Sequence, residues 1–382
     1  MMIRFARLSL VLLVCAACGP AQVAPPPANS PADPADPAPT SGFPTRAAPT
    51  LGAPTAFPPA AVSGPTIGGC PAFPVDNVWN APVDTLPLDP RSDQYIANIG
   101  ADTGLHPDFG AAEWDGGPIG IPFVVVPSNQ PGVTVNFVEY GDESDPGPYP
   151  IPANAPREHG GDHHVLVVRE GECKLYELYH AEQVNATTWE AGSGAIFDLR
   201  SNDLREDTWT SADAAGLPIL PGLVRYEEVA AGEIKHALRF TVSETRNDYV
   251  WPARHEAGST DSLNAPPMGQ RFRLKASFDI TPFDPQVQVI LRAMKKYGLI
   301  IADNGSDWYL SGAPNANWDD EALNDQLGGI TGDQFEAVDV SSLRVSVNSG
   351  QVEASSGLGT RMVADRGAAL DTQPVRFAIT VV

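Results

Sequence analysis

Residues 162–180, DHHVLVVREGECKLYELYH, constrain the fold more than any other stretch of the chain. Residues 165–168 are consecutive β-formers, Glu170-Gly171 can turn the chain with glycine at positive φ, and polar and apolar residues alternate from Lys174 to Tyr179. The pattern predicts a β-hairpin. A two-residue loop at Glu170-Gly171 pairs Arg169 with Glu172, and a four-residue loop keeps the same register. That register sets Val168 opposite Cys173, Leu166 opposite Leu175, His164 opposite Glu177 and Asp162 opposite Tyr179 on one side of the ribbon. His163 and His180 fall on the other side. Both faces are apolar near the turn, so the hairpin is expected to be central and covered on both sides, with its polar groups gathered at the open end.

Short apolar runs at 119–126, 133–140 and 194–199 predict strands between long loops. Residues 223–229 and 234–242, flanking Ala-Ala-Gly, predict a second hairpin. Residues 271–280 alternate Phe272, Leu274, Ala276 and Phe278 with polar residues, the pattern of a half-buried strand. A helix is strongly signalled over 285–297. Asp284 caps it, Pro285 suits its first position, and Val287, Ile290, Leu291, Met294 and Tyr297 form an apolar stripe before Gly298. Strands at 299–302 and 308–311 and a shorter helix at 319–327 follow. The expected fold is mainly β, a sandwich or jelly-roll-like core with one or two packed helices.

The N-terminus reads as an address. Arg4 and Arg7, the apolar run at 8–14 and Cys15-Ala-Ala-Cys18 make an export signal. Ala-Ala-Cys followed by Gly19 resembles the bacterial lipoprotein signal, although Cys15 stands where that pattern usually has Leu. The resemblance implies a signal peptide over 1–17 and lipidation of Cys18, hence an exported, membrane-anchored lipoprotein at the cell surface or in the periplasm. The apolar run is far below the roughly 20 residues that a membrane span requires. Residues 18–66 are rich in Pro and Ala and predict a semi-extended linker. Residues 67–345, about 280 in number, are enough for one β-rich globular domain with a substantial core. Residues 346–382 read as a C-terminal extension or an added edge strand. With Cys15 cleaved away and Cys18 lipidated, Cys70 and Cys173 remain, and in an exported domain they are expected to form one disulfide.

The chain carries 24 Lys plus Arg against 47 Asp plus Glu, a net charge of −23. Such acidity disfavours nucleic acid and anionic lipid as partners, so the acyl chains are the expected membrane link.

At the open end of the hairpin, a carboxylate opposite a histidine can hold the ring's tautomer and raise its basicity, and a tyrosine can donate a proton. Asp162, His164, Glu177 and Tyr179 are therefore candidate catalytic residues. A polar network that only satisfies itself is the alternative. A metal set of His163, His164, His180 and Asp162 would need three ligands converging on one point, which adjacent histidines on opposite faces do not supply. A second carboxylate set, Glu190, Asp198, Asp207 and Asp213, is interleaved with Trp189 and Trp209. It suits glycosidases, which use two carboxylates, and sugars, which stack on aromatic rings. Asp198 and Asp213 join the catalytic candidates. Trp189, Trp209, Trp251, Arg254, His255, Asp303, Asn304 and Trp308 are candidate binding residues. No cofactor is expected; residues 303–307 could ligate calcium, but an Asx-turn is the commoner reading. Nucleophile-elbow and phosphate-loop motifs are absent.

Together these features point to a lipid-anchored domain acting on a polysaccharide or oligosaccharide, by acid/base cleavage of a glycosidic linkage. The alternatives are a non-catalytic glycan-binding or structural surface lipoprotein and, third, a metal-dependent hydrolase. Cys18→Ser should release the protein from the membrane fraction with its thermal unfolding unchanged, because the linker separates anchor from core. Continued membrane association of that variant would point to another anchor.

Overall fold

The predicted hairpin forms, from strands Val165–Arg169 and Lys174–Tyr179. The computed structural model describes residues 64–353; the signal, Cys18, the linker through residue 63 and the tail from 354 lie outside the described residues. The turn has four residues, a length the sequence allowed, but it is centred one residue later than expected, at Gly171-Glu172. Residues 170–173 all lie outside the ladder, with Gly171 and Cys173 at φ 76° and 52°, so Arg169 pairs with Lys174, Val168 with Leu175 and Leu166 with Glu177. Each facing pair is displaced by two residues. A displacement of two keeps every side chain on its predicted face but changes its neighbour, so His164 does not face Glu177.

The hairpin sits inside a mixed four-stranded sheet. Ser193–Asp198 lies antiparallel beside its second strand and Phe123–Val126 lies parallel beside its first. Both faces are covered. Leu166, Val168 and Leu175 belong to the main core, while Val165, Val167, Tyr176 and Leu178 pack with Tyr149 and Trp189 in a second cluster. A three-stranded sheet of Glu182–Asn185, Thr188–Ala191 and Thr134–Phe137 adjoins this second cluster, to which it contributes Trp189 and Ala191.

The main core is shared with a mixed six-stranded sheet. Its order is Phe335–Val338, Arg271–Leu274, Leu299–Asn304, Leu238–Val242, Tyr309–Ser311 and His106–Asp108. Phe240 and Phe272 of this sheet, and Trp308 just before its Tyr309–Ser311 strand, belong to the same core cluster as Leu166, Val168 and Leu175 of the hairpin. The chain is thus mainly β and sandwich-like, with few helices among the described residues. The helix Pro285–Lys296 matches its sequence signals: Asp284 accepts the Gln286 N–H at 2.9 Å, and Val287, Ile290, Leu291 and Met294 are buried. It feeds the strand Leu299–Asn304, which runs parallel to Leu238–Val242.

The predicted second hairpin does not form. Tyr226–Ala231 is a helix, closed by Gly232 at φ 89°, and only Leu238–Val242 is a strand. Alanines followed by glycine suit a helix end as well as a hairpin turn, and the helix prevails. The strand expected over 271–280 stops at Leu274, and Ser92–Ile99 forms a helix that was not expected from the sequence. Residues just past 345 pack on the domain: Ser349 bridges Asp203 and Gln351 bridges Asn77.

Cys70 and Cys173 form the expected disulfide, with Cα atoms 5.4 Å apart and a sequence separation of 103. It fastens the start of the domain to the hairpin turn. Replacing both cysteines by serine should cost about 4 kcal/mol on the chain-entropy model, read from the urea midpoint. A loss below about 1 kcal/mol would mean that packing alone closes this loop.

Candidate functional site

Three segments meet at one end of the six-stranded sheet. The strand Leu238–Val242 carries Arg239, and its parallel neighbour Leu299–Asn304 carries Asp303 opposite Thr241, after a register shift between Phe240 and Thr241. Residues 210–217 cross beside them. The Ala215 N–H donates to the Ala302 carbonyl at 2.9 Å, the Asp213 N–H donates to Ser211 Oγ at 2.9 Å, and Ser193 Oγ donates to the Ser211 carbonyl at 2.6 Å. Gly216 closes this loop at φ 68°, where a Cβ would lie 2.4 Å from the Trp209 carbonyl oxygen. The loop is thereby pinned to both large sheets, and it holds Asp213 beside Asp303.

The electrostatics follow from Arg239. Its Nε and Nη2 each donate to an oxygen of Asp213 at 2.7 Å, and its Nη1 donates to Ser311 Oγ at 2.5 Å. The Asp213 side chain is 0 % exposed and that of Arg239 5 %. A bidentate pair of this kind stabilises both ions only while both are charged. Asp303 lies 3.5 Å from Arg239 and within a hydrogen bond of Asp213, and its side chain is 24 % exposed. Burial, and then the Asp213 charge, push its carboxyl up to about 8, with Arg239 only partly opposing them. Near neutrality Asp303 is therefore a proton-bearing acid whose O–H donates to Asp213.

Asp303 opens onto a cavity of about 320 Å³, lined also by Asp162, Tyr179, His255, Asn304 and Tyr140. Burial, and then Asp162, raise the Tyr179 phenol above its ordinary range, so it remains a donor. His255 Nδ1–H donates to the Ala214 carbonyl at 2.8 Å, which leaves Nε2 as the variable nitrogen, 3.8 Å from Glu143. Six of the residues predicted from sequence, Asp162, Tyr179, Asp213, His255, Asp303 and Asn304, thus share one cavity.

The expected His164–Glu177 pair does not exist. Glu177 is fully buried and accepts the N–H groups of Ile219 and Leu220, both at 2.9 Å, so it holds the turn Leu220–Gly222. Burial pushes its carboxyl up to about 7 against those two donors. His164 instead lies between two acceptors, Glu158 Oε2 at 2.5 Å from Nδ1 and the Ala212 carbonyl at 3.0 Å from Nε2. Both ring nitrogens must donate, which makes the ring an imidazolium. Burial opposes that charge, but the Glu158 carboxylate outweighs burial and the ring is raised to about 9.

Other candidates lie elsewhere. Asp198 is exposed at the turn end of its sheet, paired with Lys174, and accepts the Arg200 N–H. Trp189 and Trp308 are core residues, 4 % and 0 % exposed, so neither offers a ring to a sugar. Trp209 stands beside the Arg205 guanidinium. Trp251, Arg254 and Asp207 line a separate cavity, with the Trp251 indole N–H donating to the Ser349 carbonyl and Arg254 to that of Val347. Glu190 is exposed opposite Glu182. Large rings find most of their stabilisation in burial, and that outweighed the sugar-stacking reading of these tryptophans.

His163 contacts Arg157 and Glu182, and His180 contacts Glu139, on the far side of the hairpin from His164. Among the described residues no three His, Cys, Asp or Glu side chains converge as metal ligands. At 303–307, Asp307 accepts from the Ser243 N–H and hydroxyl through its two oxygens, and Asp303 accepts the N–H of Asn304, the next residue rather than the second one on, so the expected Asx-turn is not made by Asp303.

Arg239 and Glu158 were not singled out from the sequence. Arg239 had a readable signal: a permanent cation inside the apolar run Leu238–Val242 demands a buried anion. Glu158 lies in a loop and had none. No family model, curated protein or solved structure matches this chain.

Because the His164 ring is raised from 6.5 to about 9, its share of stability is complete below pH 6.5 and is lost as pH climbs to about 9. Asp303 and Glu177, also raised, add declines at lower pH. Glu158→Gln should lower the melting temperature at pH 6, and the gap to wild type should narrow between pH 6.5 and 9. A gap independent of pH would show that the ring is uncharged in the folded protein.

Proposed function

We propose that the protein is an extracytoplasmic, lipid-anchored enzyme that cleaves a glycosidic linkage in a neutral polysaccharide or oligosaccharide by acid/base hydrolysis. The observation that carries this reading is the division of labour between two adjacent carboxyls. Asp213 is locked as an anion by Arg239, and that charge keeps a proton on Asp303 at the cavity wall.

Asp303 is the general acid, giving its proton to the bridging oxygen as the C1–O bond breaks. Asp213 has both oxygens engaged and no exposure, so it is a positioning residue that sets the charge state of its neighbour. Asp162, exposed across the same cavity, is the carboxylate that takes a proton from the attacking water. The net result is one water added across the bond, with Asp162 returning the proton it took to solvent and Asp303 reprotonated from solvent. Tyr140 and Tyr179 supply ring surface, and His255 and Asn304 supply polar contacts to hydroxyls. With Asp162 exposed at the cavity and no Lys or Arg among its lining residues, a neutral glycan is favoured over a polyuronate. Hydrolysis is therefore preferred to elimination, which requires a uronate.

The test is product analysis on a glycan panel with the full mature chain. Turnover should fall along an alkaline limb near pH 8. Asp303→Asn should lose roughly 10²–10⁴-fold in kcat with little change in melting temperature. Asp213→Asn removes the charge that raises Asp303 and should move the alkaline limb to lower pH. Unaltered turnover in Asp303→Asn would refute the assignment, and glycan binding with no product would identify a binding module.

A further inference from the structure

A second, larger cavity of about 570 Å³ lies on the other side of Asp162, which lines both. The wall between them contains the His164 imidazolium. Its Glu158 partner lines the larger cavity, and its other partner, the Ala212 carbonyl, belongs to a residue lining the smaller one. Both volumes are in the range of ligand sites.

The larger cavity has an aromatic frame. His106 and Tyr309 face each other on neighbouring parallel strands, with rings stacked 4.1 Å apart. Trp114 stands at the mouth with 67 % of its surface exposed, the most exposed large hydrophobic side chain among the described residues. It is not on a loose loop. Trp114 belongs to the ribbon Glu113–Trp114/Gly117–Pro118, anchored where Asp320 accepts the N–H groups of Ala111 and Ala112 at 2.7 and 2.8 Å. His159 Nε2–H also donates to the Asp115 carbonyl at 3.0 Å. The ribbon holds this indole among the residues that line the cavity, with a ring face open to stacking.

The polar lining narrows the ligand. Asp108, Glu158, Asp162 and Asp320 contribute acceptors, and no Lys or Arg lines the cavity. Phosphate, sulfate and uronate groups would find no cation there. Ring faces combined with hydroxyl acceptors suit an uncharged sugar.

We propose that this second cavity is a binding subsite for the continuation of the glycan chain, with Trp114 as its stacking platform and Asp162 as the junction with the cleavage site. The inference rests on the carbohydrate reading of the first cavity and makes that substrate an extended chain. A monosaccharide or disaccharide would fill only part of the combined length.

The test uses the full mature protein and neutral oligosaccharides of two to six units from the cello-, xylo-, manno- and chito- series. Binding is followed by calorimetry and by quenching of tryptophan fluorescence. Wild type should bind a hexasaccharide of the preferred series at least tenfold more tightly than the disaccharide. In Trp114→Ala that advantage should collapse to within twofold, and Trp114→Phe should restore part of it. The solvent-exposed position keeps the fold out of the comparison, which circular dichroism confirms. Binding is measured independently of turnover, so the two readings separate. A protein that cleaves nothing but loses its chain-length advantage in Trp114→Ala keeps the subsite and loses the enzyme. A protein that cleaves glycans with a chain-length advantage untouched by Trp114→Ala keeps the enzyme and overturns the subsite. Quenching by tetramethylammonium but by no glycan would also overturn it, in favour of a cation cage.

Discussion

The site depends on one buried cation. Arg239 is carried into the core by a strand whose neighbours are apolar, and a guanidinium there without an anion would cost several kcal/mol. Asp213 answers that demand and must be ionised to do so. Burial and that charge then disfavour ionisation of a second carboxylate beside it, and the Asp303 carboxyl is pushed up to about 8. A single positive charge therefore sorts two chemically identical side chains into an anion and an acid. The loop at 210–217 and the register shift beside Thr241 matter because they put those carboxyls next to each other.

What was legible in the sequence was local. The hairpin, the capped helix at Pro285 and the disulfide follow from turn residues, cap residues and cysteine counting, each readable within a few positions or from composition. The turn itself was misjudged by one residue and the pairing by two, yet parity protected the result. Asp162 and Tyr179 stayed on the side where the cavity forms, while His164 lost its expected partner. Pairings across long separations were not legible. Arg239 finds Asp213 and Asp303 at separations of 26 and 64 residues, and nothing in the local pattern marks those partners. The tryptophans misled for the opposite reason, since composition counted them and only tertiary packing shows that Trp189 and Trp308 are interior.

The central hairpin has two ends with different duties. Its turn carries Cys173 and is tied covalently to the start of the domain, while its open end supplies Asp162 and Tyr179 to the cavity. Between them lie residues buried on both faces, Leu166 and Val167 among them. The buried middle fixes where the open end points, without the groups at the cavity bearing on the closure of the chain.

The placement of His164 between a carboxylate and a carbonyl reaches beyond the site. A ring whose two nitrogens must both donate takes up a proton as the chain folds at any pH between its unfolded and folded values, and Asp303 does the same over its own interval. Near neutrality, folding of this domain consumes protons. The folded molecule is then less acidic than the formal charge of −23 implies, and the surplus positive charge sits inside the protein, hidden from salt. The acidity that a partner meets at the surface remains undiminished, while the interior is buffered by its own carboxyls and imidazole.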